Sequence, residues 1–113
     1  MSTKKGLEEQ LREASIEGKI EVVEKLLLLG AHVNGTDEEH GWSSLMLACR
    51  VGHAKVVKIL VSAGAHVNDQ KKDGTSSLML ACRYGHTEVV RILVSAGAHV
   101  NDQDKVSSNS PAQ

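Results

Sequence analysis

The sequence predicts an all-α fold, a solenoid of short helix–turn–helix units joined by hairpin-like loops. Three observations carry this. Residues 41–73 and 74–106 are identical at all but seven positions, a repeat of period 33, and a fixed period of that size marks a stacked-repeat architecture. Within each copy, apolar residues recur with the spacing of one helix face and are interrupted by glycines at fixed places. The 113-residue chain has one Trp, one Tyr and no Phe, so its core must be thin layers of Leu, Val, Ile, Ala and Met.

The first copy is the most distant. Leu11, Ala14, Gly18, Val22, Val23, Leu26 and Gly30 match Leu45, Ala48, Gly52, Val56, Val57, Leu60 and Gly64 at a shift of 34. The additional residue falls in the polar loop 35–41, where length changes are tolerated. In the second copy, Ser43 or Ser44 can cap a helix that runs to about Val51 and is stopped by Gly52. A second helix begins near Lys55, with Val56, Val57, Leu60 and Val61 on one face, and Gly64 supplies its left-handed stop. The third copy repeats this with Val89, Val90, Leu93, Val94 and Gly97. Between helix pairs, the polar run Val67 to Gly74 ends in Asp-Gly and reads as a hairpin-like connection. Helices of two to three turns do not persist alone, so each pair must bury its apolar face on the next.

Composition excludes several classes of function. A formal net charge of −1 lacks the clustered cationic excess of a nucleic-acid binder. No apolar run approaches a membrane span, and the start of the chain leads into charged residues. Two Cys do not make a disulfide framework, which predicts an intracellular setting, cytoplasm or nucleus.

The run Gly41-x-Ser43-Ser44-Leu45-Met46-Leu47-Ala48-Cys49-x-x-Gly52-His53-x-x-Val56-Val57-x-x-Leu60-x-x-x-Gly64-Ala65-x-Val67-Asn68 resembles the ankyrin repeat, and so does Gly74 through Asn101. The resemblance covers roughly 7–105. It implies one ankyrin-repeat domain over 7–105 with repeats at about 7–37, 38–70 and 71–103. A tail 1–6 precedes it, and a polar tail 106–113, expected to be disordered, follows. Residues 7–34 are similar to an amino-terminal capping repeat, with Glu8, Glu9, Arg12, Glu13 and Glu17 making the first helix mostly polar; no closing cap follows Gln103. The chain departs from the family's Thr-Pro-Leu-His opening, carrying Ser43-Ser44-Leu45-Met46 and Ser76-Ser77-Leu78-Met79. That removes a helix-starting Pro and a hydrogen-bonding His, which predicts some lost rigidity. His also replaces the family's Asp before Val-Asn, at 32, 66 and 99.

Candidate chemistry is weak throughout. His32, His66 and His99 stand one repeat apart, about 8–10 Å, too far for zinc ligands at about 2.0–2.1 Å. They are expected to form a row of imidazoles that repel when protonated, giving mild acid destabilisation near about pH 5–6. Cys49 and Cys82, also repeat equivalents, are too distant for a disulfide and are expected to be small core residues. Their pairing with His53 and His86 lacks a third orienting group, so no catalytic residue is assigned. Asp37-Glu38-Glu39-His40 lacks the alternating ligands and central Gly of a calcium loop and reads as a solvated hairpin tip. No metal, no cofactor and no enzymatic activity are expected.

Scaffold positions repeat because stacking requires it, so the differing positions are informative. Positions 54, 55 and 58 fall outside the apolar stripe of the second helix and read as a solvated outer face. By the resemblance, partners dock on hairpin tips and the exposed side of first helices, along the concave face. In this chain that surface takes in Thr36, Glu39, His40, Trp42, Arg50 and Val51, then Gln70, Lys72, Asp73, Thr75, Arg83 and Tyr84. Both aromatics fall there, each near an Arg, and these residue types are enriched in binding hot spots. The competing reading of Trp42 is packing on the loop of the next copy. The expected function is a non-catalytic module that binds a partner protein, without nucleic acid or membrane. The alternative is an engineered or excised array, monomeric or weakly self-associating through its uncapped last repeat.

Overall fold

The computed structural model describes residues 5–100; the expectation for the tail 106–113 lies outside the described residues. Among the described residues six helices pair in order: α1 (Leu7–Glu17) with α2 (Ile20–Leu28), α3 (Ser44–Val51) with α4 (Ala54–Ser62), and α5 (Ser77–Arg83) with α6 (Thr87–Ser95). First helices pack on one another, α1 on α3 and α3 on α5, and second helices do the same, α2 on α4 and α4 on α6. The result is a two-layer stack of repeats. Single antiparallel bridges, Thr36 to Ser43 and Gln70 to Ser76, close the two hairpin loops.

The core is what the aromatic shortage requires. Leu11, Leu45, Val56, Val57, Leu60, Val89 and Leu93 are fully buried along one continuous apolar seam, with Ala14, Ala48 and Ala81 letting the first helices approach closely. Helix starts follow the serines. Ser43 Oγ accepts from Met46 N–H at 3.1 Å, and Ser76 Oγ accepts from Met79 N–H at 3.2 Å. The loss of the family's opening His is partly offset, because Met46 Sδ accepts from Ser43 N–H at 3.4 Å. Met46 therefore takes the reciprocal place in the cap.

Two sets of polar side chains tie one repeat to the next. Asn34 Oδ1 accepts from His66 N–H at 2.8 Å while its amide donates to Gly64 O at 3.2 Å; Asn68 does the same to His99 N–H and Gly97 O. In the first repeat Glu8 takes this place, accepting from His32 N–H at 2.8 Å. At the opposite end of the helices, His53 Nε2 lies 3.0 Å from Ile16 O and His86 Nε2 lies 2.9 Å from Arg50 O. A carbonyl only accepts, so both rings carry their hydrogen on Nε2. The backbone at 32, 66 and 99 is thus what repeats as a ladder. The three imidazoles are exposed, and His66 Nδ1 meets Asp69 at 3.0 Å.

Candidate functional site

The first hairpin tip is built around Asp37. Its carboxylate accepts from Trp42 N–H at 2.6 Å and from His40 N–H at 3.0 Å, and its own N–H donates to Trp42 O at 3.1 Å. Gly41, at φ 80, makes the turn that brings Trp42 back. Partial burial pushes the Asp37 carboxyl up, but the two backbone donors outweigh it and hold the group below its usual range.

This clamp sets the Trp42 indole between two cations. Lys71 Nζ lies 4.6 Å from the ring centroid and Arg50 Cζ 5.5 Å from it, both within cation–π range. Lys71 is held in turn by Asp73 at 2.8 Å. Hydrogen bonds from Lys71, then from Thr75, keep the Asp73 carboxyl well below its usual range. The half-buried Trp42 therefore packs on the next loop, the competing reading of this residue, without being fully covered. Lys72 joins the tips: its N–H donates to His40 O at 3.0 Å and its ammonium to Glu38 O.

Arg50 and Arg83 are exposed at the ends of α3 and α5, and Val51 and Tyr84, the residues after them, are 39% and 50% exposed. The Tyr84 and His86 rings stack at 6.5 Å between centroids and 26° between planes. Glu39, His40, Lys72 and Asp73 are exposed on the two tips, with Thr36 and Gln70 at their bases. Thr75, grouped with them by its equivalence to Trp42, is only 9% exposed; its N–H donates to Asp73 at 3.0 Å and it shapes the tip from inside.

Cys49 is fully buried, and burial pushes its thiol up to about 12, so it is no nucleophile. Cys82 corrects the expectation of a second core cysteine. It is exposed, because among the described residues no helix packs on the side of α5 away from α3. Asp37, Glu39 and His40 bring ligand atoms within 4.8 Å of one another, but both Asp37 oxygens already serve backbone N–H groups. No helix among the described residues is long and apolar enough to cross a membrane.

Sequence reasoning passed over Lys71, although 71 is one of the seven positions at which the two copies differ. It also weighed His53 and His86 only as bases for the cysteines, whereas each reaches back to the preceding repeat.

Residues 11–104 match a family model described as ankyrin repeats, in three copies. Among similar proteins, mouse ankyrin repeat domain-containing protein 40 is 43% identical over 58 residues, 51% of this chain and 16% of that protein. Rat ankyrin repeat and SAM domain-containing protein 6 is 44% identical over 61 residues, 54% of this chain and 7% of its own length. Human protein phosphatase 1 regulatory subunit 27 is 36% identical over 64 residues, 57% of this chain and 41% of that one. The chain thus spans less than half the length of each of these relatives. With the 33-residue period, the paired helices and the Asn and His ties between repeats already in hand, the match over 11–104 means that the chain belongs to the ankyrin-repeat family, whose repeats are generally protein–protein interaction modules.

Proposed function

We propose that the chain is a non-catalytic module that binds a partner protein along the hairpin tips and first helices, with Trp42, Arg50, Arg83 and Tyr84 as its anchors. The observation that carries this is the half-buried Trp42 set against Arg50 and Lys71. An aromatic held rigid by its backbone and rimmed by guanidinium loses little freedom on binding and presents a large contact area. Likeness to a protein named as a phosphatase regulatory subunit favours the same reading. Capture of a partner by the wild-type chain, compared with the Trp42→Ala/Tyr84→Ala double variant, tests it. Loss of the partner from a variant whose helical circular dichroism is unchanged supports the site; equal capture overturns it.

A second reading is association between copies through the outer side of α5 and α6. The exposure of Cys82, where its equivalent Cys49 is fully buried, favours it. Light scattering across a concentration series decides this: a constant monomer mass rejects it.

A further inference from the structure

The two hairpin tips carry opposite charges at equivalent positions. A shift of 33 places Glu38 and Glu39 over Lys71 and Lys72, and the Lys72 bonds to Glu38 O and His40 O fasten the tips side by side. The contrast continues on either side. Between α1 and the first tip lies an open cleft lined by Glu8, Glu9, Asp37, Glu38 and Glu39, with Arg12 as its one cation. Arg50 lies against the Trp42 ring and its equivalent Arg83 one repeat further on, both exposed and neither in an ion pair among the described residues. The surface therefore has an anionic side at the cleft and a cationic side at Arg50 and Arg83, the exposed Asp73 on the second tip being paired with Lys71.

Resting on the binding reading above, we infer that the partner docks an extended, charge-ordered segment: carboxylates that meet Arg50 and Arg83, then a short spacer, then Lys or Arg side chains that enter the acidic cleft. A nucleic acid does not fit, since a continuous run of phosphates meets only like charge at the acidic cleft. A uniformly basic or uniformly acidic peptide meets like charge at one end, which is the repulsive element that gives specificity. The cleft and Arg83 lie about two repeat spacings apart, or roughly 20 Å. About six extended residues at ~3.3 Å each cover that distance. Because the tips are already fastened together, the spacing of the two halves is set before binding.

The test uses two labelled peptides of identical composition, read by fluorescence anisotropy at low ionic strength. One is blocked, Asp-Glu-Asp-Ala-Ala-Ala-Arg-Lys-Arg; the other is interleaved, Asp-Arg-Ala-Glu-Lys-Ala-Asp-Arg-Ala. The blocked peptide is expected to bind at least about tenfold tighter, with the gap shrinking as salt is added. The Arg50→Glu/Arg83→Glu variant, which makes both halves anionic, is expected to transfer the preference to Arg-Lys-Arg-Ala-Ala-Ala-Arg-Lys-Arg. Equal affinity for the two isomers, or no binding of the blocked one, overturns the charge order. If the isomers bind equally but both are lost in Trp42→Ala, the binding surface stands and only its charge order falls.

Discussion

His86 reaches back from the third repeat to donate from Nε2 to the carbonyl oxygen of Arg50 at 2.9 Å. In doing so its ring occupies the space beside Gly52, where a β-carbon would stand 2.5 Å from Nδ1. Gly52 is at φ 86, so it is required twice, once by the left-handed stop of α3 and once by the imidazole lying on it. The same pair recurs one repeat earlier, with His53 against Gly18 and Ile16 O. A scaffold contact thus fixes the backbone of Arg50, which bears the guanidinium beside Trp42.

The glycines separate these two requirements. Gly85 has the same kind of backbone, φ 73, but nothing lies within 4 Å of its would-be β-carbon. Gly85→Ala should cost only the left-handed penalty, about 1–2 kcal/mol. Gly52→Ala and Gly18→Ala should each cost roughly 1–2 kcal/mol more, because the imidazole must move and its bond to the carbonyl is lost. Urea denaturation of the three variants measures this. Equal destabilisation at all three glycines would show that the histidine contact contributes nothing. In the His86→Ala background, Gly52→Ala should fall back to the Gly85→Ala value.

The period of 33 made the paired helices legible, because glycine stops and aliphatic stripes are local signals. What the period concealed is that equivalent residues need not have equivalent surroundings. Cys49 and Cys82 sit in matching eight-residue runs, yet among the described residues only the first is covered by a following repeat. Trp42 and Thr75 are equivalents too, but the small Thr75 is 9% exposed with its side chain bonded to Asp73, while Trp42 is only half-buried. The contacts of His53, His86, Asn34 and Asn68 were invisible for another reason: each spans some thirty residues to a backbone atom, and a carbonyl or amide leaves no mark in a sequence.

The cysteines should report this asymmetry directly. Cys82 is exposed, whereas Cys49 is fully buried with its thiol pushed up to about 12. A thiol-reactive disulfide reagent should therefore titrate one cysteine rapidly in the native chain and the second only on unfolding. Mass spectrometry of the partly labelled protein should place the first label on Cys82. Label appearing at both positions with the same rate would contradict the burial of Cys49.

Acid should loosen the chain through its carboxylates. The hydrogen bond from His32 N–H holds the Glu8 carboxyl below its reference value of 4.5. A group depressed in the folded state contributes stability above its unfolded pKa and loses it as pH falls through the folded one. The contribution of Glu8 is therefore complete above about 4.5 and declines below it. Asp37 and Asp73, both held below 3.8, act in the same direction at lower pH. Thermal melts should show wild type losing its advantage over Glu8→Ala as pH is lowered from 5 to 3, since the protonated carboxyl is the weaker acceptor. A loss already complete between about pH 5 and 6 would show that Glu8 is not the source of the acid response.

On the proposed function Trp42 serves both the scaffold and the binding surface, so its substitution should act on both by different amounts. Within the chain, the indole is held by cation–π contacts, worth about 0.5–1 kcal/mol for the exposed Arg50 and somewhat more for the largely covered Lys71. Trp42→Ala should thus lower stability by roughly 1–2 kcal/mol, short of what unfolds a small domain. Its effect on affinity should be larger, at least about 2 kcal/mol or some thirtyfold, as for a buried aromatic anchor. Trp42→Phe keeps a ring face for the two cations and should recover most of the stability but less of the affinity, since it lacks the indole's area and N–H. Tyr84→Ala, a half-exposed residue without such cations, should leave stability within about 0.5 kcal/mol and still weaken binding. Measuring unfolding and peptide affinity on the same three variants separates the roles. If the loss of affinity merely tracks the loss of stability across them, Trp42 is a packing residue and the anchor lies elsewhere.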